Sequence, residues 1–212
     1  MKIVVSDDLP ESALDILRSE GWEVDARSGR KPEDLATDLA DADAAGMVAH
    51  PGHGQKMADR LGIKSEFMGG DWRRPADPAA IEKRLKEDTG HAIKAVCIVH
   101  NETSTGVVSD VNAIRRAIDA AKHPALLLVD TISSIGSLDY RHDAWGVDVT
   151  VGGSQKGMML PPGMSFNAVS EKAVAASKNS RMPKSFWSWE EMLNSNANGW
   201  FPYTPATNLL YG

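Results

Sequence analysis

Apolar positions along the chain alternate between runs that suit strands and stripes that suit helices. Residues 2–6 read as a buried strand. Pro10 then opens a helix through Arg18, with Leu14 and Leu17 facing inward and Gly21 as its stop. Residues 22–25 form a short second strand, and Pro32 starts a helix with Leu35 and Leu39 one turn apart. This is a βαβα opening. Residues 44–49 are a third strand candidate, and His50 to Gly54 a turn. A helix over 55–61, a strand near 64–68 and an irregular loop over 69–75 follow.

The second half is more regular. Pro78 starts a helix reaching about Asp88, with Ile81 and Leu85 on one face. Residues 93–99, apolar but for Lys94, and 125–129 read as largely apolar strands, which suit a sheet covered on both faces. Between them, Ser109 is the expected cap of a helix striped by Val111, Ile114, Ile118 and Ala121. Val147, Val149 and Val151 alternate in a further strand. Residues 164–169 form another, and Ser170 caps a helix over about 171–178. Beyond Lys178 the pattern loosens into polar, aromatic and proline-containing chain, as in a peripheral lobe or dimer surface. Strands alternating with helices predict an α/β fold with a mostly parallel sheet.

Ligands of such sheets sit outside the carboxyl ends of the strands. Three polar clusters fall there: His100 to Gly106, Asp130-Thr131, and Ser154-Gln155-Lys156. Lys156 stands among small residues that let a planar ligand approach, and a desolvated lysine amine is nucleophilic. A solvated surface lysine is the plainer reading. Asp130 directly follows an apolar run, where an unpaired carboxylate is costly. It therefore needs a cationic or donating partner, unless it only caps a loop. Thr103, Ser104 and Thr105 offer hydroxyls to an anion or ring oxygen, or simply cap the next helix.

Composition narrows the classes. The net charge is −6 and the 23 basic residues are scattered, which argues against nucleic acid or an anionic membrane as partner. No apolar run is long enough to span a bilayer, and the N-terminal run breaks too soon for a signal peptide. The single cysteine, Cys97, excludes an internal disulfide and suits a reducing cytoplasm. Inside its apolar run it is expected as a packed core thiol rather than a catalytic one. His50 and His53 lack companion ligands, so no metal site is expected. Gly52 to Met57 begins like a dinucleotide fingerprint, but Met57 replaces its third glycine.

The stretches GDWRRPADPAAIEKRL, HNETSTGV, LLLVDTISSIGS, GVDVTVGGSQKGMMLPPGMSF and WFPYTPATNLLYG carry a resemblance. On them, residues 46–212 resemble the class V, fold-type-I aminotransferases, nearest their serine–glyoxylate branch. The resemblance implies the three-layer, mostly parallel large domain of that family, in incomplete form. It implies pyridoxal 5'-phosphate as cofactor, small amino-acid and 2-oxo-acid substrates, and a homodimer with shared sites. Lys156 looks like the Schiff-base lysine and Asp130 like the partner of the pyridine nitrogen. Ile132 matches the aliphatic residue under the ring, and Thr103 the hydroxyl near the phenolic oxygen. Gln155 matches a phosphate contact, and Thr204 a residue reaching the neighbouring subunit's phosphate.

Residues 1–45 instead resemble the start of D-3-phosphoglycerate dehydrogenases, a short flavodoxin-like βαβα segment, so a fusion with a seam near residue 45 is expected. The family's glycine-rich phosphate cup lies upstream of the matching part, and its carboxylate-binding arginine beyond Gly212. The expectation is an incomplete transaminase. The alternatives are a catalytically silent α/β dimerisation module, or a dehydrogenase fragment binding NAD through residues 52–57.

Overall fold

A computed structural model describes residues 2–5, 11–19, 21, 23–26, 44–46, 62–71, 73–181 and 188–211. The chain forms two compact units, residues 1–69 and 70–212.

The first unit contains β1 (Lys2–Val5), α1 (Glu11–Ser19), β2 (Glu23–Asp25) and β3 (Ala44–Gly46). Its strands form a parallel sheet in the order β2-β1-β3, with Ile3 level with both Val24 and Ala44. Leu14 of α1 is buried, as its spacing predicts; the side chain of Leu17 lies outside the described residues, as do the helix from Pro32, the turn and helix over 50–61 and the dinucleotide-like Gly52 to Met57. Residues 64–68 are not a strand. They run exposed, without the ladder of backbone hydrogen bonds that a strand requires, and Phe67 and Met68 face solvent.

The second unit is built on β4 (Ala95–Val99), β5 (Leu126–Asp130), β6 (Val149–Gly153) and β7 (Ser165–Val169), in that spatial order. The first three are parallel, and β7 pairs antiparallel with β6. The fold is therefore α/β with a mostly parallel sheet. Val99, Asp130 and Val151 lie level with one another at the carboxyl ends of β4, β5 and β6.

Two helices pack together over one sheet face: α2 (Pro78–Glu87) and α3 (Val111–Ala120). Ile81 and Leu85 of α2 meet Val111, Ile114 and Ile118 of α3, and these cover Ile98, Leu127 and Val129. Asp77 caps α2 through the Ala79 N–H, with a proline in its first turn. The cap of α3 is Asp110, whose Oδ1 accepts from the Ala113 N–H at 2.8 Å. Ser109, the expected cap, is buried one position too early and accepts from the Ala76 N–H at 3.3 Å instead. Ser170 caps α4 (Glu171–Lys178) as expected. Two short helices, α5 (Trp189–Asn196) and α6 (Thr207–Leu210), occupy the loosely patterned C-terminal part.

Cys97 corrects a third expectation. It is exposed, not packed in the core. Side chains alternate along β4, so Ile98 points under the helices while Cys97 and Val99 point the other way, and Val99 is 41% exposed. Among the described residues, no helix is long and apolar enough to cross a membrane.

Candidate active site

The carboxyl ends of β4, β5 and β6 each run into a loop that carries predicted site residues. The loop after β4 is closed by its own backbone. The Glu102 N–H donates to the Val107 carbonyl and the Gly106 N–H to the Glu102 carbonyl, at 2.9 and 2.8 Å. The Glu102 carboxylate accepts from the Ser104 hydroxyl and N–H, which holds its pKa below the ordinary carboxylate value. Thr103 sits at the exposed tip of this loop, and its hydroxyl hydrogen-bonds that of Ser133 in the loop after β5.

The loop after β5 is a tight turn. Asp130 ends the strand, exposed, with Oδ1 accepting from the Ile132 N–H at 2.9 Å. The Thr131 N–H and hydroxyl both donate to the Val151 carbonyl of β6. The Ser134 and Ile135 N–H groups donate to the Thr131 carbonyl. Asp130 Oδ2 makes no hydrogen bond to the described residues.

The loop after β6 carries Gln155 and Lys156. Ser154 anchors its base, fully buried: its hydroxyl donates to the Pro161 carbonyl at 2.7 Å and accepts from the Met164 N–H. The Leu160 and Met159 N–H groups donate to the Ser154 and Lys156 carbonyls. Gly157 then touches the β5 turn so closely that a Cβ there would overlap the Ile135 carbonyl and Ser137. From the other side, Gly136 has φ +80° and would set a Cβ 2.9 Å from the Gly157 backbone. Two backbones thus meet without side chains between them. Gly153 likewise faces Ile132, whose Cγ2 lies 3.6 Å from its virtual Cβ, and the Gln155 side chain.

The structure therefore joins Thr103, Asp130, Ile132, Gln155 and Lys156 through contacts between three consecutive loops. Lys156 is exposed, so these residues do not desolvate it, and its amine makes no hydrogen bond or ion pair to the described residues. Thr204 is exposed in the segment before α6, which leans on the third loop where Leu209 meets Gly163. The described contacts do not link Thr204 to the other five. Ser133 and Gly136 escaped the sequence reading; Gly157 is one of the small residues that reading sets beside Lys156, and the structure adds what it touches. The small residues Ser133-Ser134 were the only signal in the β5 turn, and became meaningful once the loops touched.

A separate groove of about 530 Å³ lies at the amino end of β6, away from these loops. Several of its charges answer one another. Arg115 Nη2 donates to Asp119 at 2.6 Å, and buried Asp148 accepts from the Leu127 N–H and Ser170 hydroxyl beside Arg115 and Lys172. This network ties β5, β6, α3 and α4 together, while Arg115 Nε is buried without a hydrogen-bond partner and Arg116 makes no ion pair to the described residues.

A family profile described as aminotransferase class-V matches residues 39–182. The chain is 53% identical over 158 residues to a serine–glyoxylate aminotransferase of Hyphomicrobium methylovorum, covering 74% of this chain and 39% of that protein. It is 43% identical to an L-aspartate–glyoxylate aminotransferase of Paracoccus denitrificans, over 91% of this chain and 47% of that one. The chain thus spans less than half the length of these relatives. Among solved structures, an aspartate aminotransferase from Thermus thermophilus superposes with a TM-score of 0.63 at 28% identity, over 73% of this chain and 41% of that one.

Proposed function

Because the chain belongs to the class-V aminotransferase family, we propose that it serves amino-group transfer between a small amino acid and a 2-oxo acid. The serine–glyoxylate or alanine–glyoxylate class is the reading best supported by the relatives. The cofactor of this reading is pyridoxal 5'-phosphate. The single observation that carries it is the contact of three loops at the carboxyl strand ends, bringing a free amine, a half-engaged carboxylate and a pair of hydroxyls to one edge of the sheet.

That donor set fits the ring end of the cofactor. When bound, pyridoxal phosphate supplies an aldehyde for an amine and a ring that draws electrons from the substrate. Lys156 is the amine that would hold it, and its Nζ, once released by the incoming substrate amine, would take up and return a proton as general base and acid. Asp130 Oδ2 is open to accept from a protonated ring nitrogen while Oδ1 keeps the Ile132 N–H. Ile132 offers an aliphatic surface to the ring, and Thr103 a hydroxyl to its phenolic oxygen. Gln155 and Thr204 are the phosphate contacts in this reading, Thr204 from the neighbouring subunit of a cytoplasmic homodimer.

Residues 1–45 are read as a separate dehydrogenase-like segment before a partial large domain over 46–212. The start of the family match at residue 39 supports this, and the 91% coverage by the Paracoccus relative runs against it. A second reading, a silent α/β dimerisation module, is favoured by the exposure of Lys156.

Titration with pyridoxal phosphate separates the two readings. The catalytic reading expects saturable visible absorbance that Lys156→Ala abolishes. Absorbance that is unsaturable, or equal in the variant, would support the silent module.

A further inference from the structure

His100 stands one residue beyond β4 and is 3% exposed. Its backbone N–H donates to the Asp130 carbonyl at 2.9 Å, and its own carbonyl accepts from the Ser109 N–H at 2.8 Å. Its side chain crosses to the same turn: Nδ1 lies 2.9 Å from Ser134 Oγ. The Ser134 hydroxyl can donate its one proton to the Thr131 carbonyl at 3.3 Å or to the ring. The imidazole and the Ser134 hydroxyl thus share a buried hydrogen bond in which either group can donate. The ring is walled by Tyr140 and Trp145, with centroids 5.3 and 6.0 Å away. Burial pushes its pKa down, which favours the neutral imidazole. Ser134 is itself fully buried, so no water replaces a lost imidazole bond there.

We propose that His100 is a positioning residue of the amino-transfer site, acting through Ser134 to lock the 131–134 turn that sets the direction of Asp130, Ile132 and Ser133. This rests on the function proposed above. It goes further by adding a residue that touches neither amine nor carboxylate. The turn receives the backbone of His100 at Asp130, the imidazole at Ser134 and the Thr103 hydroxyl at Ser133. Of these, the imidazole is the side chain that joins the turn at a fully buried residue, Ser134. Without it, the Ser134 hydroxyl loses a buried partner and the turn is free to re-aim.

Three variants of the full chain test this. In His100→Leu the ring's polar group is lost; in His100→Asn a side-chain amide, able to donate or accept, stands near the place of Nδ1; in Ser134→Ala the hydroxyl is lost while the imidazole remains. Pyridoxal phosphate affinity is read by absorbance titration, and turn rigidity by amide hydrogen exchange at Ser134 and Ile135 without cofactor. His100→Leu is expected to weaken affinity roughly tenfold, the scale of one buried hydrogen bond, and to speed exchange. His100→Asn should recover most of both. Ser134→Ala should match His100→Leu, and the double variant should be no worse than either single. Additive losses, or an Asn variant no better than the Leu variant, would overturn the proposal. If His100→Leu does not fold, Ser134→Ala and His100→Asn decide. Should the wild type itself capture no cofactor, the amino-transfer reading fails, and the exchange data still decide whether His100 locks the turn.

Discussion

Asp130 is the residue on which most of the proposed chemistry turns. Its Oδ1 is spent on the Ile132 N–H and its Oδ2 is open, so charge and shape can be separated by Asp130→Asn. The amide oxygen can keep the Ile132 contact while the negative charge is gone. Pyridoxal phosphate affinity should fall about tenfold or more, since a charge-assisted bond is roughly twice as strong as a neutral one. The urea midpoint should barely move. An unchanged affinity would remove Asp130 from the site. His100 adds a pH signature. Its folded pKa is lowered by burial, so its contribution to stability is complete above the unfolded value near 6.5. That contribution is lost as pH falls towards the folded value, because the unfolded chain takes up the proton first. At this scale, the sequence marked Lys156, Asp130 and Thr103 as candidates because each follows an apolar strand. It could not mark Ser134 or Gly136, because their meaning lies in which loop they touch.

At the scale of elements, apolar runs and stripes made the second unit legible. The expected strands and helices of residues 78–178 appear with ends shifted by one or two positions, and the helix stripe of α3 is the observed core. The cap of α3 was misplaced because Ser109 and Asp110 are both good caps, and only packing against Ala76 chose between them. Ile114 of α3 has no exposed surface, so Ile114→Ala should cost about 3 kcal/mol in urea unfolding. The clasp between α2 and the start of β5 answers to acid. Asp88 accepts from the Ile93 and Ala92 N–H groups and from His123, and the Ile93 bond leads in holding its pKa below the ordinary value. Its stabilisation is present above the unfolded carboxylate value near 4 and is lost as pH falls through the lower folded value. The stability gap between wild type and Asp88→Asn should therefore close as pH is taken from about 5 to about 3. A gap that is constant over that range would contradict the clasp. The meeting of Gly157 and Gly136 makes a sharper demand. A methyl at 157 overlaps the Ile135 carbonyl, so Gly157→Ala should destabilise by about 1–3 kcal/mol and displace Lys156 from the turn.

For the whole molecule, the sequence pattern announced an α/β sheet but misjudged what faces water. Cys97 sits in a run that reads as core, yet strand alternation turns it outward. A maleimide should label it in the folded protein. The surrounding strands still desolvate the thiol and raise its pKa, so labelling should quicken steeply as pH rises. Labelling only after denaturation would contradict the exposed face. The large side chains Trp200, Phe201, Tyr203 and Tyr211 are also exposed, on the segment that carries Thr204. The central claim is nonetheless local: the amine of Lys156, one residue before the touching backbones of Gly157 and Gly136, is the proposed place of attachment for an aldehyde cofactor. The direct measurement is to incubate the chain with pyridoxal phosphate, reduce with borohydride and map the label by peptide mass spectrometry. The account predicts one dominant label at Lys156, diminished in Asp130→Asn and Gly157→Ala. Label spread evenly over the exposed lysines, with no excess at Lys156, would contradict it.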